Sequence, residues 1–173
     1  MKHVRKIALV APMWIEGEEN PYPPLGIAYI AAALENNGYT VRLFDMSLQT
    51  HKTFEEKIDD MLGFGPQLVG VSCMTNTYRN AMKIARAVKK KVPVTVVMGG
   101  PHPSIYPMET VADEAVDMVI CGEGEQPFVQ LLRCDEGDYA SIPGLTYKSG
   151  GTIHVNGSRS YVNDIDELPH PAW

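Results

Sequence analysis

Five short β-branched runs, Ile7 to Ala11, Thr40 to Phe44, Leu68 to Ser72, Val94 to Met98 and Met118 to Cys121, alternate with segments of helical period. This alternation constrains the fold more than any other feature of the chain. A strand that returns after a helix pairs with its predecessor in parallel, and a parallel sheet needs helices over both faces. The runs are almost continuously apolar, which is how strands buried on both faces read.

The intervening helices follow from their spacing. Leu25 to Leu34 is apolar nearly all round and belongs inside, while Phe54, Ile58, Met61 and Leu62 fall at i, i+4, i+7 and i+8. Tyr78, Ala81, Met82, Ala85 and Val88 form a third stripe behind a Thr75 or Asn76 cap. Phe128, Leu131 and Leu132 mark a helix that begins near Pro127, and a shorter, weakly patterned one spans Pro107 to Glu114. The expected fold is therefore α/β and flavodoxin-like (Rossmann-like): a doubly wound five-stranded parallel sheet of order 2-1-3-4-5.

After Cys134 the pattern changes. Leu145-Thr146-Tyr147 and Ile153-His154-Val155 flank Gly150-Gly151, which reads as a small β-hairpin. The stretch from Asn163 to Trp173, with its acidic residues and Pro169 and Pro171, reads as an extended linker. The expected division is an α/β domain over 1–140, a hairpin extension over 141–162 and a connector over 163–173.

Composition excludes several classes. A chain of 173 residues with 45% hydrophobic content suits one well-filled domain. Fifteen Lys and Arg against 21 Asp and Glu, with the basic residues scattered outside Lys89 to Lys91, give no nucleic-acid footprint. No run approaches the roughly 18 apolar residues of a membrane span. Cys73, Cys121 and Cys134 form neither a C-x-x-C pair nor a Cys/His cluster, so a reducing, cytoplasmic setting without a local metal cage is expected.

In an open parallel sheet, ligands bind outside the carboxyl ends of the strands, where strand order reverses. Those ends are Pro12 to Pro24, Asp45 to Thr50, Ser72 to Asn76, Gly99 to Pro107 and Gly122 to Glu125. Three are small or bare: Ser72-Cys73, Gly99-Gly100, and Gly122 with Gly124. Small residues let a bulky ligand approach the backbone, although a glycine after a strand also serves a simple turn. The first loop, with Trp14 and Tyr22, is long for a βα connection, which points to a binding role or a surface flap.

Competing ligands fail at specific positions. There is no G-x-G-x-x-G after the first strand and no P-loop lysine, which disfavours dinucleotides and nucleotide triphosphates. Pro12 and Ser72 stand where a phosphoacceptor receiver needs carboxylates, and the Pro-rich first loop lacks the hydroxyl row of an FMN site. Glu123, Glu125 and His102 have no partner at catalytic spacing and read as helix N-terminal charges and a turn residue, with ligand contact left open. On the residues alone, a small-molecule binder and an interaction module that has lost its ligand both remain.

Several motifs resemble one family, the amino-terminal cobalamin-binding domains of B12-dependent radical S-adenosylmethionine enzymes. They are Pro23-Pro24-Leu25-Gly26-Ile27-Ala28-Tyr29, Gly38-Tyr39, Val69-Gly70-Val71-Ser72, Gly99-Gly100-Pro101-His102-Pro103 and Gly122-Glu123-Gly124-Glu125. Ile165 to Pro171 resembles the connector that such proteins carry before their catalytic barrel. Within the family, the anaerobic magnesium-protoporphyrin IX monomethyl ester cyclase group looks most similar.

The resemblance implies that Ser72 and Gly99-Gly100 line a slot for the cobalamin nucleotide tail, with the corrin ring over the sheet edge. It extends the cofactor-binding set to Pro24, Leu25 and Gly26, to Cys73 and Met74, and to His102, Gly122, Glu123 and Gly124. A bulky side chain at Gly100 is then expected to close the slot and leave the fold intact. The chain departs from the D-x-H-x-x-G cobalt-ligating motif of methionine-synthase-like domains, so base-off cobalamin without a first-loop histidine ligand is expected. It also lacks C-x-x-x-C-x-x-C, so no catalysis is expected of this chain alone. The [4Fe-4S] cluster and S-adenosylmethionine would belong to a following radical SAM domain, the expected covalent partner.

Overall fold

The structure is a computed structural model that describes residues 1–14, 22–48, 51–135, 137–157, 161–162 and 164–172. Its parallel strands are β1 (Lys6–Ala11), β2 (Thr40–Asp45), β3 (Leu68–Ser72), β4 (Thr95–Gly99) and β5 (Met118–Ile120). The helices are α1 (Leu25–Glu35), α2 (Phe54–Gly63), α3 (Tyr78–Lys91), α4 (Pro101–Ile105), α5 (Pro107–Ala112) and α6 (Glu125–Arg133). Two antiparallel strands follow, β6 (Leu145–Ser149) and β7 (Thr152–Val155).

The strand order is β2-β1-β3-β4-β5-β6-β7, so the expected 2-1-3-4-5 parallel order holds and the hairpin extends the same sheet. The chain winds from β1 outward to β2, then reverses to β3 on the other side of β1, which puts the switch point between β1 and β3. β6 pairs antiparallel with β5, matching Met118 to Tyr147 and Ile120 to Leu145. Pairing satisfies backbone groups that a bare β5 edge would expose. Gly150 and Gly151 both take positive φ, 57° and 79°, as the two central residues of a type I′ hairpin turn require.

Strand periodicity divides the apolar residues between two cores. Ala8, Val10, Val69, Val71, Val96 and Met98 face Ile58 and Met61 of α2, Ala81 and Ala85 of α3, and Val111 of α5. Ile7, Leu9, Leu68, Val97 and Ile120 face Ile27, Ala31 and Leu34 of α1 and Phe128, Leu131 and Leu132 of α6. The second face holds the candidate site. Among the described residues, no helix is long and apolar enough to cross a membrane.

Two local expectations are corrected. Thr75 and Asn76 do not cap α3: with Thr77 they form a 3-10 turn, in which the Thr77 hydroxyl accepts the Met74 N–H at 2.9 Å. The segment between β4 and Pro107, expected as loop, contains α4, with Pro101 in its first turn where a missing N–H costs no intrahelical bond.

α2 begins with a full capping box. Thr53 Oγ1 accepts the Glu56 N–H at 3.3 Å, and the Glu56 carboxylate accepts the Thr53 N–H at 2.7 Å. Thr53→Ala is expected to lower stability by about 1 kcal/mol. Urea unfolding should show this as a lower midpoint with an unchanged slope.

Candidate functional site

At the carboxyl edge the strand ends are bonded to one another. Cys73 N–H donates to Gly99 O at 2.8 Å, and His102 N–H donates to Cys73 O at 3.2 Å. Ser104 Oγ donates to Gly100 O at 2.8 Å and accepts the Gly122 N–H at 2.9 Å. The ends of β3, β4 and β5 are thus fixed into one rim.

Below this rim lies a cleft of about 220 Å³ between the sheet and helices α1 and α6. Leu9, Gly70, Val97 and Ile120 form its sheet wall, and Gly26, Ile27, Ile30 and Phe128 form its helical wall. Ser72, Gly99, Gly100, Pro101, Gly122, Glu123, Gly124 and Glu125 also line it. A second cleft of about 230 Å³ adjoins it, sharing Gly26, Ile27, Ser72 and Pro101. Trp14, Tyr22, Pro24, Leu25 and Met74 also line this second cleft.

The clefts exist because side chains are missing where two walls would otherwise meet. A Cβ on Gly26 would have nothing within 4 Å, so this position in α1 faces open space. A Cβ on Gly70, in the middle of β3, would stand 2.7 Å from Leu9 Cδ2 and 3.4 Å from the Phe128 ring. Gly99 is bare in a less demanding way, since its Cβ would first meet Ile120 O at an ordinary 3.6 Å.

Gly100 is different. Its φ is 100°, and a Cβ there would lie 2.7 Å from Cys73 O and 3.0 Å from Cys73 N. The residue is glycine because two backbones cross there, so the expectation that a bulky residue at Gly100 would spare the fold is withdrawn.

The structure brings together most of the residues singled out in the sequence. Gly26 and Ser72 line both clefts; Gly99, Gly100, Gly122, Glu123 and Gly124 line the first; Pro24, Leu25 and Met74 line the second. Two stand apart. Cys73 is fully buried behind Gly100 and lines neither cleft; burial pushes its thiol pKa up to about 12, and Sγ donates to Met74 O. His102 also lines neither, its ring packed between Tyr78 at 4.2 Å and Tyr106 at 5.1 Å, with Nδ1 3.3 Å from Thr75 Oγ1. The first-loop expectation falls largely on residues 15–21, outside the described residues, as do residues 49–50 after β2.

Sequence reasoning missed Leu9, Ile30 and Phe128 as walls, since an apolar residue at helical or strand period reads as core. Gly70 carried a usable signal, because a glycine inside a buried strand marks a close approach. Glu125 reads from sequence as a helix N-terminal charge, with ligand contact left open. Its Oε2 is buried and has no hydrogen-bond partner. Burial above all, and the neighbouring Glu123 carboxylate, raise its pKa against the backbone N–H groups of Glu125 and Gly124, which favour the charged form.

The tail is the other difference. The residues read as an extended linker, and Val162 just before them, run back over α1 and the start of α6: Val162 N–H donates to Glu123 Oε2, and Ala172 N–H donates to Ala28 O at 3.1 Å. Between them Ile165–Glu167 forms a 3-10 turn. Both anchors touch elements that build the cleft.

A mostly apolar cleft with few polar side chains and one orphaned buried carboxyl oxygen fits a bulky planar group with a small number of polar atoms. A doubly wound sheet with such a cleft at its switch point defines an α/β domain that binds a small molecule. The chain belongs to the B12-binding domain family, whose sequence model matches residues 18–132.

The uncharacterized methyltransferase PH0819 of Pyrococcus horikoshii is 32% identical over 155 residues, covering 87% of this chain and 33% of that protein. The anaerobic magnesium-protoporphyrin IX monomethyl ester cyclase of Cereibacter sphaeroides is 26% identical over 160 residues, covering 88% of this chain and 26% of that protein. This chain therefore spans about a third or less of the length of these relatives. The radical enzyme OxsB, solved with aqua-cobalamin and S-adenosylmethionine, superposes with a TM-score of 0.81 at 20% identity, over 98% of this chain and 24% of that one. The methyltransferase TsrM from Kitasatospora setae, solved with cobalamin and a [4Fe-4S] cluster, gives 0.74 at 21% identity, over 98% and 31%. These two likenesses establish the fold.

Proposed function

We propose that this domain holds cobalamin base-off, with the nucleotide tail in the cleft between the sheet and α1/α6 and the corrin ring over the carboxyl edge, within a B12-dependent radical SAM enzyme. The observation that carries this reading is the side-chain-poor cleft at the β1/β3 switch point, open at Gly26. Family membership supports the ligand class, and the cobalamin-bound neighbours share the fold.

Leu9, Ile30, Val97 and Phe128 exclude water from the tail. Ser72 Oγ and the rim backbone meet its polar atoms, and the Trp14, Tyr22 and Leu25 surface lies beside the ring. When bound, cobalamin supplies a cobalt centre able to carry a methyl group or an electron. A following domain would hold the [4Fe-4S] cluster and S-adenosylmethionine, and the parent would act as a methyltransferase or as a cyclase of the magnesium-protoporphyrin monomethyl ester type. Cysteines without C-x-x-C spacing suit a reducing cytoplasm.

Electron paramagnetic resonance of the chain loaded with cob(II)alamin tests the coordination. Spectra without nitrogen superhyperfine splitting are expected, because Pro12 to Pro24 contains no histidine. A resolved nitrogen splitting would contradict the base-off reading, and its loss in His102→Ala would identify the ligand.

A further inference from the structure

We propose that Glu125 recognises the nucleotide tail, its Oε2 sharing a proton with the benzimidazole nitrogen that a base-off cofactor releases from cobalt. The inference rests on the reading of the cleft as the tail site and assigns the residue that selects the lower base.

Two unsatisfied groups meet in this assignment. On the protein side, Glu125 Oε2 is buried and has no hydrogen-bond partner, a condition that marks a missing contact. On the ligand side, a benzimidazole detached from cobalt brings a bare nitrogen lone pair into an apolar cleft, where it needs a donor. Among the described residues, the side chains that line the cleft offer three polar candidates: Ser72, Glu123 and Glu125. Ser72 Oγ, at the end of β3, serves the other polar atoms of the tail, and Glu123 Oε2 already accepts the Val162 N–H. Glu125 is left.

Its surroundings favour the donor form. Ile30, Gly124 and Phe128 line the same cleft, and burial, the largest influence, together with the nearby Glu123 carboxylate raises the Glu125 pKa against the opposing pull of the Glu125 and Gly124 backbone N–H groups. A neutral carboxyl donates O–H to the ring nitrogen. If the proton transfers, the product is a carboxylate bonded to a benzimidazolium, so either placement leaves both partners satisfied and net charge unchanged. The bond also opposes return of the nitrogen to cobalt, which ties Glu125 to the base-off state.

The test compares hydroxocobalamin with diaquocobinamide, which has the corrin ring and lacks the nucleotide tail. Wild-type protein should bind cobalamin more tightly than cobinamide; equal affinities would overturn the tail-site reading itself. Glu125→Leu should weaken cobalamin binding by roughly 10- to 100-fold, the range for losing a strong buried hydrogen bond, and leave cobinamide binding unchanged. Glu125→Gln, which keeps an N–H donor and the same shape, should stay near wild type for both. An equal loss for the two corrinoids in Glu125→Leu, or no loss, would overturn the role of Glu125. So would a loss in Glu125→Gln as large as in Glu125→Leu.

Discussion

Gly26→Leu is expected to abolish useful cobalamin binding while leaving the domain as stable as before or slightly more so. Gly26 sits inside α1 with a backbone that any residue adopts, and a Cβ there meets nothing within 4 Å. Replacing a helical glycine with leucine favours the helix by roughly 0.5–1 kcal/mol. The added side chain enters space shared by both clefts, beside Ile27, Ser72 and Pro101. A ligand forced to overlap it loses affinity on the order of 100-fold, since overpacking a closed wall costs up to about 3 kcal/mol and more where the wall cannot adjust. Absorbance titration with hydroxocobalamin, paired with a thermal melt, reads both effects. A folded Gly26→Leu protein with unchanged affinity would remove the cleft from the cofactor site.

Gly100→Leu should fail for the opposite reason. Positive φ at a residue with a side chain and a contact of 2.7 Å with Cys73 O act together. The backbone strain costs roughly 1–3 kcal/mol and the overpacking a similar amount, a loss on the order of 3–5 kcal/mol. That is a large share of the stability of a small domain, so the expected result is a strongly lowered melting temperature, with cobalamin binding lost through unfolding. Gly99→Ala is the matched control, because its Cβ meets only Ile120 O at 3.6 Å and φ is unrestricted. Near-normal stability in Gly100→Leu would contradict the crossing of the β3 and β4 ends described above.

Most of the fold was legible because it depends on local period. The β-branched runs, the apolar stripes of α2 and α3 and the glycine pair of the hairpin are written within windows of a few residues. The joining of β6 to β5 was not legible, since an edge strand and a hairpin carry no sequence mark of which will pair. Part of the cleft lining was legible through small residues at strand ends, Gly99, Gly122 and Gly124, whereas Gly26 entered only through the family resemblance. The cleft walls were not legible, because Ile30 and Phe128 look the same whether they touch another side chain or an open cleft. Gly100 was read as bare for a ligand, whereas its bareness answers to Cys73, a long-range contact invisible in sequence. The tail was read from composition as extended; what fixes it is a backbone bond to Ala28, equally invisible.

Cobalamin binding itself is tested most directly by titrating the purified wild-type chain with hydroxocobalamin under anaerobic conditions and following the visible absorbance of the bound corrinoid after gel filtration. Saturable retention of one cobalamin per chain is expected. A chain that is folded by circular dichroism and passes the column colourless at every cobalamin concentration would contradict it.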